Sequence, residues 1–291
     1  MLDGIIERVL FSNTPVVGET VRIILAFLGV ILVSYYDLFN KKNVPDKLLY
    51  AFLGLAIIVD IGAYFLEPDL NVLLFSFGVA IFIGLVGYVF YRMGQIGGAD
   101  VLTIVAVMLL VPFVPSFAGL AFNLPFIVPA MIYAGLIFTI FVTIKFALKI
   151  IAQGGSPNIL YLLLIIPFLI FVYVYVNSPV FSPVYLGIVS ILLLATIFFM
   201  VYKQDITLML AEELPLDRIE PEDVVAVELM DPKVMREHKI KRVITLQELA
   251  RLKESGVQTL WIYTNLPPFV PFLLLGMILA LFFSGSLIFG F

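Results

Sequence analysis

The chain has 291 residues, of which 62% are hydrophobic and only 13% charged, whereas soluble domains are roughly half apolar. That excess excludes a soluble fold and reads as an integral membrane protein. The formal net charge of -4 is small and dispersed, which excludes a nucleic-acid or polyanion partner. With no cysteine, disulfides, thiol catalysis and thiolate metal sites are ruled out, and the redox compartment stays open. The single histidine, His238, sits in the most polar region, so His-ligated metal and Ser-His-Asp chemistry have almost nothing to work with.

Residues 1–16 hold an apolar run too short to span a bilayer, interrupted by Asp3, Glu7 and Arg8 and followed by Pro15. A cleavable signal peptide starts with basic residues and lacks these acids. The segment is therefore expected to be an interfacial lead-in, with the first span as the membrane anchor. A span needs about 20 apolar residues. The segments that qualify are 17–36, 47–66, 71–93, 101–118, 126–149, 159–176, 184–202 and 268–288. The sixth is set off from the fifth by Gln153-Gly154-Gly155-Ser156-Pro157-Asn158, whose Gly and Pro mark a turn. Whether this sixth segment crosses fully is left open.

Lys and Arg in short loops are retained on the cytoplasmic side. Lys41, Lys42 and Lys47 follow the first span, Arg92 ends the third, and Lys145 and Lys149 close the fifth, all on one side. The opposite loops carry Glu67 and Asp69, or, over 112–125 and 177–183, no charge. Arg8 and Arg22 fall on that opposite side, each with an acid nearby, Glu7 and Glu19. The expected fold is an all-α polytopic membrane protein of about eight transmembrane helices, N- and C-termini outside, with a small cytoplasmic α/β insertion. Its parts are the lead-in 1–16, a transmembrane domain over 17–202, a cytoplasmic module over 203–266 and a C-terminal transmembrane helix within 267–291.

The module has 9 basic and 12 acidic side chains. Val224-Val225-Ala226-Val227-Glu228-Leu229 reads as a short strand. Thr245-Leu246-Gln247-Glu248 is a capping box opening a helix that Gly256 closes, and Val257 to Tyr263 reads as a second strand. A unit this small buries little core and is expected to lean on the membrane domain. Its acids Glu212, Glu213, Asp217, Glu220, Glu222 and Asp223 read either as a solvated face or as a dock for a basic segment. No internal repeat is visible, against a transporter built on inverted repeats.

Two carboxylates lie at membrane boundaries on the same side: Asp37, ending the first span, and Asp100, opening the fourth after the glycine-rich break Gly94-Gln95-Ile96-Gly97-Gly98-Ala99. Between them the chain crosses twice, so they can meet at one depth. The helix dipole favours an anion at Asp100 and opposes one at Asp37. Close approach would leave the pair sharing one proton, with acid and base roles split as in aspartic proteases. Taken singly, Asp100 also suits a helix cap, and Asp37 suits an ion pair with Lys41 or Lys42. Gly97 and Gly98 would let an extended peptide backbone approach closely, or simply form a tight turn. Asp60 lies deeper, within the second span, where it suits ion coupling, snorkelling or a hydrogen bond to a neighbouring helix.

On Asp37, the loop Leu38-Phe39-Asn40-Lys41-Lys42-Asn43-Val44-Pro45-Asp46 and Gly97-Gly98-Ala99-Asp100, the chain resembles the archaeal type IV prepilin and preflagellin peptidases. These are membrane aspartyl proteases of the GxGD class. The likeness covers about residues 20 to 120. Ala99 stands where the family pattern has its second glycine. The cysteine-bearing segment of bacterial prepilin peptidases is absent, which argues against their N-methylation activity. Eight spans with an inserted module exceed the six of the shorter preflagellin peptidases.

The resemblance implies a hydrolase of the cell membrane, an aspartic endopeptidase with Asp37 and Asp100 as its catalytic pair and Gly97, Gly98 and Ala99 against the substrate backbone. The 17–202 region would then be the catalytic domain. It implies no cofactor and no metal. The implied partners are a prepilin or preflagellin precursor and the lipid bilayer, with a short basic leader cut at the cytoplasmic face, typically after a glycine. Two alternatives compete. A presenilin or signal-peptide-peptidase-like protease is echoed by Tyr36-Asp37, but there the acids sit on adjacent spans and a Pro-Ala-Leu motif follows, where this chain has Pro129-Ala130-Met131. A non-catalytic transporter or scaffold would explain Asp60, the prolines and the module, and would leave the same-side pair as coincidence.

Overall fold

The computed structural model describes residues 16–40, 44–118 and 124–289. All but the last residue of the expected lead-in 1–16, and Lys41 and Lys42, lie outside the described residues. The chain is mostly helical, with a small two-stranded sheet. Among the residues whose side chains are described, six apolar helices are long enough to cross a bilayer: α1 (Glu19–Phe39), α2 (Asp46–Leu66), α3 (Leu70–Arg92), α5 (Ile127–Gln153), the unit Ile159–Val176 and α7 (Pro183–Val201). In Ile159–Val176 a 3₁₀ segment, Ile159–Leu164, leads into α6 (Ile165–Val176).

The fourth expected span is shorter. The segment expected to cross over 101–118 is α-helical only over α4 (Gly98–Leu110), 13 residues, or about 20 Å of rise, with a 3₁₀ turn at Ser116–Ala118. α4 ends where Val111 meets Pro112, and Val111, Phe113 and Val114 continue as buried irregular chain. Such backbone is tolerated at membrane depth only inside protein. That condition is met, because Val101, Thr103, Ile104 and Ala106 through Leu110 are all buried, and the Val114 N–H donates to the Leu124 carbonyl at 2.8 Å. α4 packs against α1, α2 and α3 and is the axis of the bundle. It need not match the lipid thickness because lipid does not surround it. The last helix, α11 (Val270–Phe289), inserts between α1 and α5.

The α5–α11 seam is a backbone contact. A Cβ at Gly276 would stand 2.3 Å from the Ala130 carbonyl oxygen and 2.7 Å from the Ala134 nitrogen. Gly276 faces Ala130 and Ala134, small residues one turn apart of the kind that let helices approach in lipid. Gly276→Val is therefore expected to lower stability by about 3 kcal/mol, read as thermal unfolding in detergent. Gly54→Ala, with nothing within 4 Å of the added methyl, should leave unfolding nearly unchanged.

The module opens with α8 (Lys203–Leu210) and contains β1 (Ala211–Pro215), α9 (Pro232–Glu237), α10 (Leu246–Glu254) and β2 (Thr259–Tyr263). The expected helix holds: the Thr245 hydroxyl accepts from the Glu248 N–H at 3.3 Å, and Gly256 follows the helix end with φ +79°. The second strand holds as β2. The strand expected over Val224–Leu229 does not form. Val224 and Val225 make single bridges to Val243 and Ile262, and then the chain turns, with the Leu229 N–H on the Ala226 carbonyl at 2.9 Å. The partner of β2 is instead β1, antiparallel, with Ala211 opposite Tyr263 and Pro215 opposite Thr259. The acids Glu212 and Glu213 hid this strand, since pairing to an existing neighbour outweighs residue preference. The module has its own apolar core, including Leu216, Val225, Ile244, Leu252, Leu260 and Ile262.

Candidate active site

α3 ends in a Schellman motif. The Gly94 N–H donates to the Tyr91 carbonyl at 2.8 Å and the Gln95 N–H to the Phe90 carbonyl at 3.0 Å, with Gly94 at φ +66°. A residue with a side chain would be strained there. Three residues after Gly94, Gly97, extended at φ -71° and ψ 147°, is the N-cap of α4. Asp100 is the third helical residue, and its Oδ2 accepts the Gly97 N–H at 3.1 Å. The helix-cap reading of Asp100 is thus realised. The same bond fixes the carboxylate at the positive end of the α4 dipole, beside the break, while the rest of the helix is sealed in the core.

Asp37 is on the last turn of α1, 9% exposed. Its carboxylate and that of Asp100 lie close enough to repel one another electrostatically. Both line one cavity of about 1210 Å³. Gly97, Gly98 and Ala99 line it too, so every residue expected at the site opens onto the same space. The walls are apolar side chains of α2, α3 and α4, such as Leu53, Phe77 and Ile104, closed by Phe138 of α5 and by Leu266 to Phe269 before α11. Such a chamber suits an extended or helical apolar segment whose polar backbone meets two carboxylates at one end. Among the described residues, no group of three or more His, Asp or Glu converges where a metal ion could sit.

Two further acids line the cavity, Asp46, which the sequence did not offer as a site residue, and Glu222, which it offered only as one of six acids that could dock a basic segment. Asp46, the first residue of α2, reaches the mouth. Glu222 comes from the module, and its carboxylate lies near the hydroxyl of Tyr91, whose side chain also lines the cavity. In sequence, Tyr91 looks like an aromatic at a membrane boundary, and Glu222 is one of six acids in a run. Neither carries a local signal of its position.

Asp60 is elsewhere. It is 2% exposed, its Oδ1 is 2.6 Å from Arg22 Nη2, and the Ser76 hydroxyl donates to its Oδ2. Arg22 is thus paired across helices and not with Glu19, which accepts from the Ser116 N–H at 3.2 Å. His238 is in the module, where its carbonyl accepts from Arg251 at 2.9 Å, outside the cavity lining. Compared with known proteins, the chain matches no family model, no curated protein and no solved structure.

Proposed function

We propose that this chain is a membrane-embedded aspartyl endopeptidase that removes the short basic leader of type IV prepilin-like or preflagellin precursors at the cytoplasmic face. The observation that carries the reading is the convergence of Asp37 and Asp100, from two helices, on one apolar cavity large enough for a peptide. In this reading α4 and α11 complete a bundle of eight membrane helices, the N-terminus is outside and the module is cytoplasmic. The transport alternative leaned on Asp60, whose carboxylate is taken up by Arg22 and Ser76.

The chemistry follows from two facing acids. One, ionised, removes a proton from water as the water oxygen attacks the peptide carbonyl; the other, protonated, hydrogen-bonds the carbonyl oxygen and stabilises the tetrahedral intermediate. Collapse breaks the C–N bond, and the proton taken from water passes to the leaving amine. The products are a carboxylate-ended leader and a new N-terminus. The test is Asp37→Asn and Asp100→Asn, each assayed against a prepilin-like precursor in membranes.

The two glycines should respond differently. A methyl at Gly97 would stand 3.0 Å from Asp100 Oδ2 and turn that carboxylate, so Gly97→Ala is expected to lower kcat roughly tenfold or more. At Gly98 the nearest atoms are on the Tyr91 ring, 3.5 Å away, so Gly98→Ala spares the acid and narrows the substrate path. Its expected signature is a raised KM with kcat held. Equal kinetic profiles for the two variants would remove this assignment.

A further inference from the structure

The two ends of α4 are held in different ways. Its far end is sealed in the core, where Arg22 donates to the Leu109 and Leu110 carbonyls. Its near end follows a break with three glycines, Gly94, Gly97 and Gly98, each of which widens the conformations open to the chain. Gly98, Ala99 and Asp100 are only partly buried there. The carboxylate proposed to do chemistry thus stands on the looser end of the helix.

The cytoplasmic module packs on this break. Val224 and Val243 form an antiparallel bridge, with the Val225 N–H on the Arg242 carbonyl at 2.7 Å and the Tyr263 N–H on the Val224 carbonyl at 2.9 Å. Successive side chains of extended backbone point to opposite faces. Val225 and Ile244 are fully buried in the module's apolar core, so Val224 and Val243, which are outside that core, present the other face. That face lies on the α3–α4 turn: a Cβ built on Gly94 would stand 3.0 Å from Val224 Cγ1, 3.3 Å from Val243 Cγ2 and 3.5 Å from Arg242 Cγ. The seat is stiffened from behind, because Arg242 Nη2 is 3.9 Å from Glu228 Oε1 and the Tyr263 hydroxyl donates to Glu228 Oε2 at 2.9 Å. Two valines that do nothing for the module's own core fill the space that a side chain at Gly94 would take.

We propose that Val224 and Val243 are positioning residues for Asp100, and that the module is a clamp on the turn from which α4 starts. From Gly94 only Gln95 and Ile96 intervene before Gly97, whose N–H the Asp100 carboxylate accepts at 3.1 Å. A shift of the turn is therefore passed to the carboxylate through two residues and one hydrogen bond. A misplacement of about 1 Å at a reacting group costs up to about 100-fold in rate. Substrate contacts with the apolar walls of α2 and α3 do not pass through Gly94, so the clamp acts on the chemical step. This inference rests on the endopeptidase reading.

The test is Val224→Ala combined with Val243→Ala in the full chain in membranes, with cleavage of a prepilin-like precursor peptide as one readout. The expected result is a kcat lowered about 10–100-fold with KM held and thermal unfolding nearly unchanged. Val257→Ala, the same truncation at a residue that packs on the module's core, should leave kcat as it is. The second readout does not need activity: the chain has no cysteine, so a nitroxide on Gln95→Cys, an exposed position of the turn, is its only label. Its spectrum should sharpen in the double alanine variant. A kcat that does not fall overturns the inference, as does a raised KM with kcat held, which would make the two valines a substrate contact. A fall in kcat with an unchanged label spectrum, or an equal fall in Val257→Ala, overturns it too, because the loss would then not come from the turn. A wild type that cuts no precursor removes the endopeptidase reading and this inference with it.

Discussion

Asparagine at either Asp37 or Asp100 is expected to lower kcat/KM for a prepilin-like precursor about 10³-fold. The amide keeps the size and most of the hydrogen bonds of the carboxyl group, so Asp100→Asn still accepts the Gly97 N–H that now measures 3.1 Å. What is lost is the ability to take up or donate a proton. Because the two groups work as a unit, the double variant should be no slower than the worse single one. Thermal unfolding separates this from a folding defect. The amide removes one of two acidic groups that disfavour each other's ionisation, so the single variants should unfold at or above the wild-type temperature. A variant that is inactive and less stable would count as a packing failure. Either single variant cleaving at the wild-type rate would end the acid-pair mechanism.

The parts that could be read from sequence are those the bilayer dictates. Lipid requires a long apolar run, so eight candidate runs stand out in the sequence, and counting the expected crossings puts Asp37 and Asp100 on one side, in keeping with the one cavity that both line. The parts that could not be read are those where protein replaces lipid as the surroundings. α4 reads as a full span because its composition is apolar, but its length is set by Pro112 and by burial against three helices. Gly276 is one more small residue in an apolar run until Ala130 is seen against it. Arg22 has an acid three residues earlier, yet its partner comes from another helix. The reach of Glu222 into the cavity depends on a left-handed backbone that neither Pro221 nor Asp223 announces.

Arg22 and Asp60 give the largest expected loss of stability. Arg22, 2% exposed, donates from Nη1 to the Leu109 and Leu110 carbonyls at 3.3 Å each and from Nη2 to Asp60 at 2.6 Å. The guanidinium thus caps the negative end of α4, whose other end carries Asp100 about 15 Å away along the helix. Arg22→Met leaves a buried carboxylate and two uncapped carbonyls, and Asp60→Leu leaves a buried cation. Each is expected to cost about 3–5 kcal/mol, because breaking a buried pair strands a charge. Removing both, in Arg22→Met with Asp60→Leu, should recover much of that loss, so the cycle is strongly non-additive in thermal unfolding. Arg22→Met should also slow cleavage, since a shift of α4 moves Asp100 although the mutated side chain is far from it. Additive losses would mean that the two residues act separately. A stable Arg22→Met enzyme with full activity would mean that α4 is held by apolar packing alone, and that the ion pair does not position the carboxylate at its far end.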